Sequence, residues 1–235
     1  ADAMFGLPGQ TLADYRETLI ALAQTGVTHI SAYSLILEED TPLHAMVERG
    51  EMTLPDEDAT ADMLENGVSL LKSLGYQRYE ISNFAKPGYV CKHNMGYWRQ
   101  KQYLGLGVSA ASLLAAQATD GDARYVRRSN THGTKAYIRA LREGKLPVAE
   151  RLPVMPDEAM FETVMLGLRT VDGVSHADFE RMHGRRITEV YGEAIRLLER
   201  EHLLQPTEAV NPRLALNARG LLLQNTALMA FMKEG

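Results

Sequence analysis

Two apolar runs, ADAMFG at residues 1–6 and THISAYSLIL at 28–37, flank one amphipathic stretch, and this arrangement narrows the fold more than any other feature. The first run reads as a buried strand, apolar on both faces as parallel strands are. A Leu-Pro-Gly loop follows. Thr11 stands where a helix cap belongs, with Asp14 three residues on in an acidic variant of the capping box. Leu12, Tyr15, Leu19, Leu22 and Ala23 then recur at helical spacing, and Gly26 ends the helix. Residues 28–37 are rich in strand formers. Strand, helix and strand in that order make the unit of a parallel α/β sheet.

Farther on, Asp56 follows Pro55 and opens a second helix. Its apolar face is Met63, Val68, Leu70, Leu71 and Leu74, and Gly75 stops it. QRYEISNF (77–84) alternates like a third strand, residues 85–102 read as irregular, and YLGLGVSAAS (103–112) reads as a strand leading into a turn. ARYVRR (123–128) is a short strand. Residues 131–144 form a helix with Tyr137, Ile138 and Leu141 inward. KLPVAERLPVMP (145–156) holds three prolines and reads as a domain connector. Beyond it, helices are expected at 157–168, 175–183, 187–200 and 218–233, with a two-stranded element near 203–216. Three helices with a small ribbon form a winged-helix pattern. The domains are therefore 1–144, a linker at 145–155, and 156–235.

The 235 residues are 45% apolar, ample for a core. Thirty acids against 25 bases leave a net charge of −5, which argues against a nucleic-acid binder. No apolar run approaches the ~20 residues of a membrane span, and residues 1–20 do not resemble a signal peptide. With one cysteine, Cys91, no internal disulfide is available, so a reducing, cytoplasmic setting is expected. A single thiolate also does not hold an iron–sulfur cluster. The histidines at 29, 44, 132, 176, 183 and 202 lack zinc-site spacing.

KHNMGYW, residues 92–98, sets a histidine, an asparagine, a tyrosine and the only tryptophan close together. Two readings stand side by side. One is a packed corner. The other is a site for something flat and metallated, with neutral His93 as axial ligand to heme iron, Asn94 orienting it, and Tyr97 and Trp98 as apolar faces. Cys91 is a weaker ligand candidate. Lys92, Arg99, Lys101, Arg124, Arg127 and Arg128 are candidates to pair with heme propionates.

Taken together, DAMFGLPGQT (2–11), YEISNFAKPG (79–88), KHNMGYWRQKQYLGLG (92–107) and MLGLRTVDGV (165–174) resemble the HemW/HemN family, radical S-adenosylmethionine proteins related to oxygen-independent coproporphyrinogen III oxidase. The resemblance runs from Asp2 to the RGLLLQN stretch (219–225). It implies an α/β fold: the second half of a (β/α)6 partial barrel with an additional sheet region, then a mostly helical winged-helix-like domain. The family's Cys-x-x-x-Cys-x-x-Cys motif has no counterpart here. The chain therefore reads as a C-terminal portion that should not bind the [4Fe–4S] cluster, with a sheet edge open to pairing with another chain.

The resemblance further implies that Asp2, Gln10, Ile36 and Ala111 touch S-adenosylmethionine. For Asp2 it adds to the view that an acid at the end of a barrel strand faces the ligand. His93-Asn94-Met95-Gly96-Tyr97-Trp98 matches the HNxxYW signature of the heme-binding branch, whose partner is a recipient heme protein. Peripheral membrane association would then come through that recipient. GLGVSAAS (105–112) instead resembles the oxidase branch, which decarboxylates propionate side chains through a 5′-deoxyadenosyl radical. A third reading, DNA binding through helix 187–200, is opposed by Glu189, Glu193, Glu199 and Glu201 on that helix.

Overall fold

A computed structural model describes residues 1–208 and 210–232. Residue 233, the expected end of the last helix, residues 234–235 of the expected second domain and residue 209 of the expected ribbon lie outside the described residues. The chain forms two compact units, Ala1–Lys92 and His93–Gly235.

In the first unit, β1 (Asp2–Phe5) runs parallel to β2 (His29–Ser34), with Asp2 opposite Ser31 and Phe5 opposite Ser34. The crossover is α1 (Leu12–Gln24). Thr11 caps it: its hydroxyl accepts from the Asp14 amide at 3.2 Å, and the Asp14 carboxylate accepts from the Thr11 amide at 2.8 Å. Those bonds hold the Asp14 carboxyl below its ordinary range. Tyr15 and Leu19, one turn apart, are fully buried with Ala3, Phe5, Ile30 and Ala32. α2 (Pro42–Glu48) was not foreseen, although Thr41-Pro42 is a readable helix start: the Thr41 hydroxyl accepts from the His44 amide, and Pro42 occupies the first turn. α3 (Glu57–Ser73) starts at the Asp56 cap. It approaches α1 closely, because any Cβ at Gly67 would lie 2.8 Å from the Tyr15 hydroxyl. The single strand expected over 77–84 is two: β3 (Gln77–Arg78) and β4 (Asn83–Ala85), which pair with each other. β4 lies antiparallel to β2, giving the order β1-β2-β4-β3.

The second unit opens with α4, whose full span is Lys92–Trp98. The segment expected to be irregular is thus helical at its centre. A three-stranded antiparallel sheet follows, β5 (Ala111–Ala115), β6 (Tyr125–Asn130) and β7 (Val148–Val154), in that order. Of the strand and turn expected over 103–112, Tyr103 is bridged to Leu113, and Ala111 and Ser112, expected in the turn, already belong to β5. β7 occupies most of the expected connector. Pro153 is compatible with it because β7 is an edge strand, where a missing N–H is tolerated. Between β6 and β7 lies α5 (Thr134–Arg142). Its Tyr137 is half-buried, but Ile138 and Leu141, expected inward, are exposed.

The remaining elements are α6 (Pro156–Gly167), β8 (Val174–Ser175), α7 (His176–His183), α8 (Ile187–Arg200), β9 (Arg213–Leu214), α9 (Ala218–Leu222) and α10 (Gln224–Met229). β8 and β9 pair antiparallel, so half of the expected ribbon comes from 174–175, and a Leu204–Leu216 bridge extends it. The helix expected over 218–233 is interrupted at Leu223. Val164, Leu168, Phe179, Ile187, Leu198 and Leu216 form the core. Two glycines of MLGLRTVDGV are required by packing. A Cβ at Gly167 would meet Val174 Cγ2 at 2.3 Å. At Gly173, with φ +63, it would meet the Leu214 carbonyl at 2.1 Å.

Candidate functional site around helix α4

α4 is short, and of its seven residues only Met95 is buried. Its C-terminal end carries the structure. The Gln100 amide donates to the Tyr97 carbonyl and the Lys101 amide to the Gly96 carbonyl, a Schellman arrangement. It places Gln100 at φ +48, a conformation that usually calls for glycine. The Gln100 side chain compensates. It is buried, donates to Glu162 at 3.4 Å, and accepts from the Thr163 hydroxyl at 2.5 Å. The network continues from Glu162 to Arg127 at 2.5 Å and from Thr163 to His183 Nε2 at 3.0 Å. Burial, with Arg124 adding repulsion, pushes the His183 imidazole down to about 4. This polar cluster anchors α4 to α6, α7 and β6. No sequence periodicity pointed to it; the signal would have been Gln100 following a helix where glycine is usual.

Helical geometry divides the motif. His93 and Tyr97, four apart, share one side. Their ring centroids are 4.8 Å apart at 81°, and Tyr97 meets Tyr103 in the same edge-on way, at 4.8 Å and 86°. His93 is exposed and Tyr97 is 40% exposed. Met95, Trp98 and Arg99 lie on the other side and line a cavity of about 240 Å³ with residues from α6, α7 and the β8–β9 region. The four residues expected to act as one constellation are therefore two groups: His93 with Tyr97, and Trp98 apart. Asn94 is half-buried.

An exposed imidazole edge-on to Tyr97 suits an axial ligand to iron in a flat macrocycle, with Leu104 and Leu106 exposed in the same unit as apolar surface. Among the described residues no group of three or more His, Cys, Asp or Glu side chains could hold a metal ion. Cys91 is half-buried and belongs to the first unit. Of the cationic candidates, Arg127 pairs with Glu162, which raises its guanidinium pKa further. Arg124 lies over the Tyr125 ring at 6.0 Å, and the Arg128 Nε is buried with no partner. Lys92, Arg99 and Lys101 are exposed.

The residues expected around S-adenosylmethionine are dispersed. Gln10 and Ile36 sit on the loops after the carboxyl ends of β1 and β2, where α/β sheets bind ligands. Ile36 is 73% exposed. The Gln10 amide is occupied within its own loop, accepting from the Leu7 amide and donating to the Met4 carbonyl. Asp2 is the first residue of β1, at the amino end, so the expectation that it stands at the ligand end of its strand does not hold. Ala111 opens β5 in the second unit and is exposed. Among the described residues no helix is long and apolar enough to cross a membrane.

Comparison with known proteins places this architecture. Residues 154–223 match the HemN C-terminal domain family model. The chain is 33% identical over 233 residues to the heme chaperone HemW of Bacillus subtilis (strain 168), covering 99% of this chain and 58% of that protein. It is likewise 33% identical over 252 residues to the heme chaperone HemW of Synechocystis sp., covering 99% of this chain and 59% of the relative. The radical S-adenosyl methionine domain-containing protein 1, mitochondrial, of Danio rerio is 31% identical over 84% of this chain and 45% of its own length. The chain thus spans less than two thirds of the curated relatives it matches. In fold it is similar to coproporphyrinogen III oxidase (HemN) from Escherichia coli, a radical SAM enzyme, with a TM-score of 0.72 at 19% identity over 98% of this chain and 54% of that one. The sequence matches and the partial radical-SAM fold together assign this chain to the HemW/HemN family.

Proposed function

We propose that the chain carries heme through His93 and passes it to a recipient heme protein, as the name of its HemW relatives suggests. The observation that carries this reading is the His93–Tyr97 pair: an exposed imidazole on a helix, held edge-on by a tyrosine that is itself edge-on to Tyr103. Heme is cargo in this account. His93 supplies one neutral nitrogen to the iron, Tyr97 limits the rotation of the imidazole, and the exposed side of α4 leaves the second axial face open to an acceptor. S-adenosylmethionine and the [4Fe–4S] cluster are assigned to longer family members. The chain's one cysteine does not supply a cluster's thiolates, and of the four candidate S-adenosylmethionine contacts Gln10 and Ile36 lie beyond the carboxyl ends of β1 and β2. β1 is an edge strand of its sheet, and self-pairing through it would show as a dimer in sedimentation velocity.

The test is transfer. Heme-loaded chain is mixed with apomyoglobin as a generic acceptor, and the acceptor's spectrum is followed. Transfer faster than from free heme aggregates supports the proposal. Heme retained on the chain, or transfer no faster than from buffer, contradicts it. The turn sequence GVSAAS favours a second reading, the oxidase. Protein of full family length, with cluster and S-adenosylmethionine, would then convert coproporphyrinogen III.

A further inference from the structure

The cavity on the Trp98 side of α4 is separate from the His93 surface and has its own chemistry. Its apolar lining includes Met95, Trp98 and Met182, and Met95 is buried. Three guanidiniums line it as well, Arg99, Arg181 and Arg213, against two carboxylates, Asp172 and Asp178. That leaves one net positive charge. The pairing is also incomplete. Arg181 bonds Asp178 at 2.6 Å through one nitrogen, and Arg213 spends two N–H groups on the carbonyls of Asp172 and Gly173. Arg99 approaches Asp172 only to 3.9 Å, beyond hydrogen-bond reach. Each guanidinium has five N–H donors in a fork that matches a carboxylate. Most of these donors are therefore free for an anion at an apolar-lined cavity.

At about 240 Å³ the cavity falls just below the ~300–1,000 Å³ that holds a drug-sized ligand. It admits one ring with an acid arm, not a whole macrocycle. From this we infer that the cavity binds a carboxylate carried on a planar apolar ring. The fork of Arg99, with Arg181 and Arg213, takes the acid, and Trp98 with the two methionines takes the ring. Two sources share this chemistry: a free aromatic acid, or the propionate-bearing edge of a porphyrin. Only the second source rests on the heme-carrying reading.

Trp98 is the only tryptophan, so the chain's tryptophan emission comes from a residue that lines this cavity. The 235-residue chain is titrated with metal-free protoporphyrin, with its dimethyl ester and with benzoate. A porphyrin without iron has no axial bond to offer His93. The expected result is quenching by protoporphyrin, binding about tenfold weaker for the ester, and about tenfold weaker binding in Arg99→Ala and Arg181→Ala, as loss of a charge-assisted bond implies. Both arginines are solvent-exposed, which keeps these variants folded. Binding of benzoate without protoporphyrin supports the cavity with the free acid as its source. Equal binding of acid and ester, indifference to Arg99→Ala, or no change in Trp98 emission with any of the three overturns the inference. If heme still gives a histidine-ligated spectrum in that case, the cavity inference alone fails; if that spectrum is also missing, both readings fail.

Discussion

His93 and Tyr97 face each other one helical turn apart, ring planes at 81° and centroids 4.8 Å apart. Edge-to-face pairs of this kind are worth about 0.5–1.5 kcal/mol beyond burial. They also fix the plane of the imidazole. Tyr97→Phe keeps the edge contact and should leave heme affinity within about twofold. Tyr97→Ala frees the ring and should weaken it by about three- to tenfold, the same energy expressed as an equilibrium constant. Soret titrations of both variants check this.

Parts of this site were legible in the sequence and parts were not. The β1–α1–β2 unit was readable because Thr11, Asp14, Tyr15 and Leu19 state a cap and a buried face in local terms. α4 was not readable. Asn94 and Gly96 are poor helix formers, only Met95 is buried, and the helix is held by Gln100 reaching Thr163 sixty-three residues away. With 85–102 read as irregular, nothing separates Trp98 from His93 and Tyr97, and with Asn94 the four read as one constellation. The prolines of 145–156 masked an edge strand, because the partner that makes β7 a strand is β6, about twenty-five residues earlier. The Arg127–Glu162 pair was hidden for the same reason: its members are 35 residues apart in the sequence.

Gln100 combines strain with anchorage. Gln100→Ala keeps the left-handed backbone without glycine's tolerance and leaves buried polar groups of Glu162 and Thr163 short of a partner, at ~1–3 kcal/mol each for an unsatisfied group. A total loss of about 2–4 kcal/mol is expected. Gln100→Gly should lose about 1 kcal/mol less, because it relieves the backbone. Urea unfolding followed through Trp98 orders the two, and the reverse order would contradict the strain.

The His183 imidazole is held down to about 4, against an ordinary 6.5. As pH falls below 6.5 the unfolded chain takes up a proton that the folded chain refuses until about pH 4. Stability is therefore complete above pH 6.5 and is lost as pH falls from there towards 4. The loss is on the order of 1–3 kcal/mol, discounted for partial solvent access. His183→Gln should flatten this part of the stability profile, measured by urea midpoints between pH 4 and 7.

Gly173 has no room for a side chain, since its Cβ would meet the Leu214 carbonyl at 2.1 Å. Gly173→Ala should destabilise the second unit by about 3 kcal/mol or more through the left-handed backbone and the clash together. Gly184→Ala, also at positive φ but with nothing within 4 Å, should cost only about 1 kcal/mol. Thermal melts of the pair test whether contact or conformation dominates.

The central claim is that His93 ligates heme iron. The most direct measurement is a heme titration of the chain and of His93→Ala, read by the Soret band and by the low-temperature electron paramagnetic resonance of the ferric form. The account predicts stoichiometric binding with a histidine-ligated signature in the native chain, and loss of that signature in the variant. Identical spectra and affinities for the two proteins would contradict it and leave His93 as a surface partner of Tyr97.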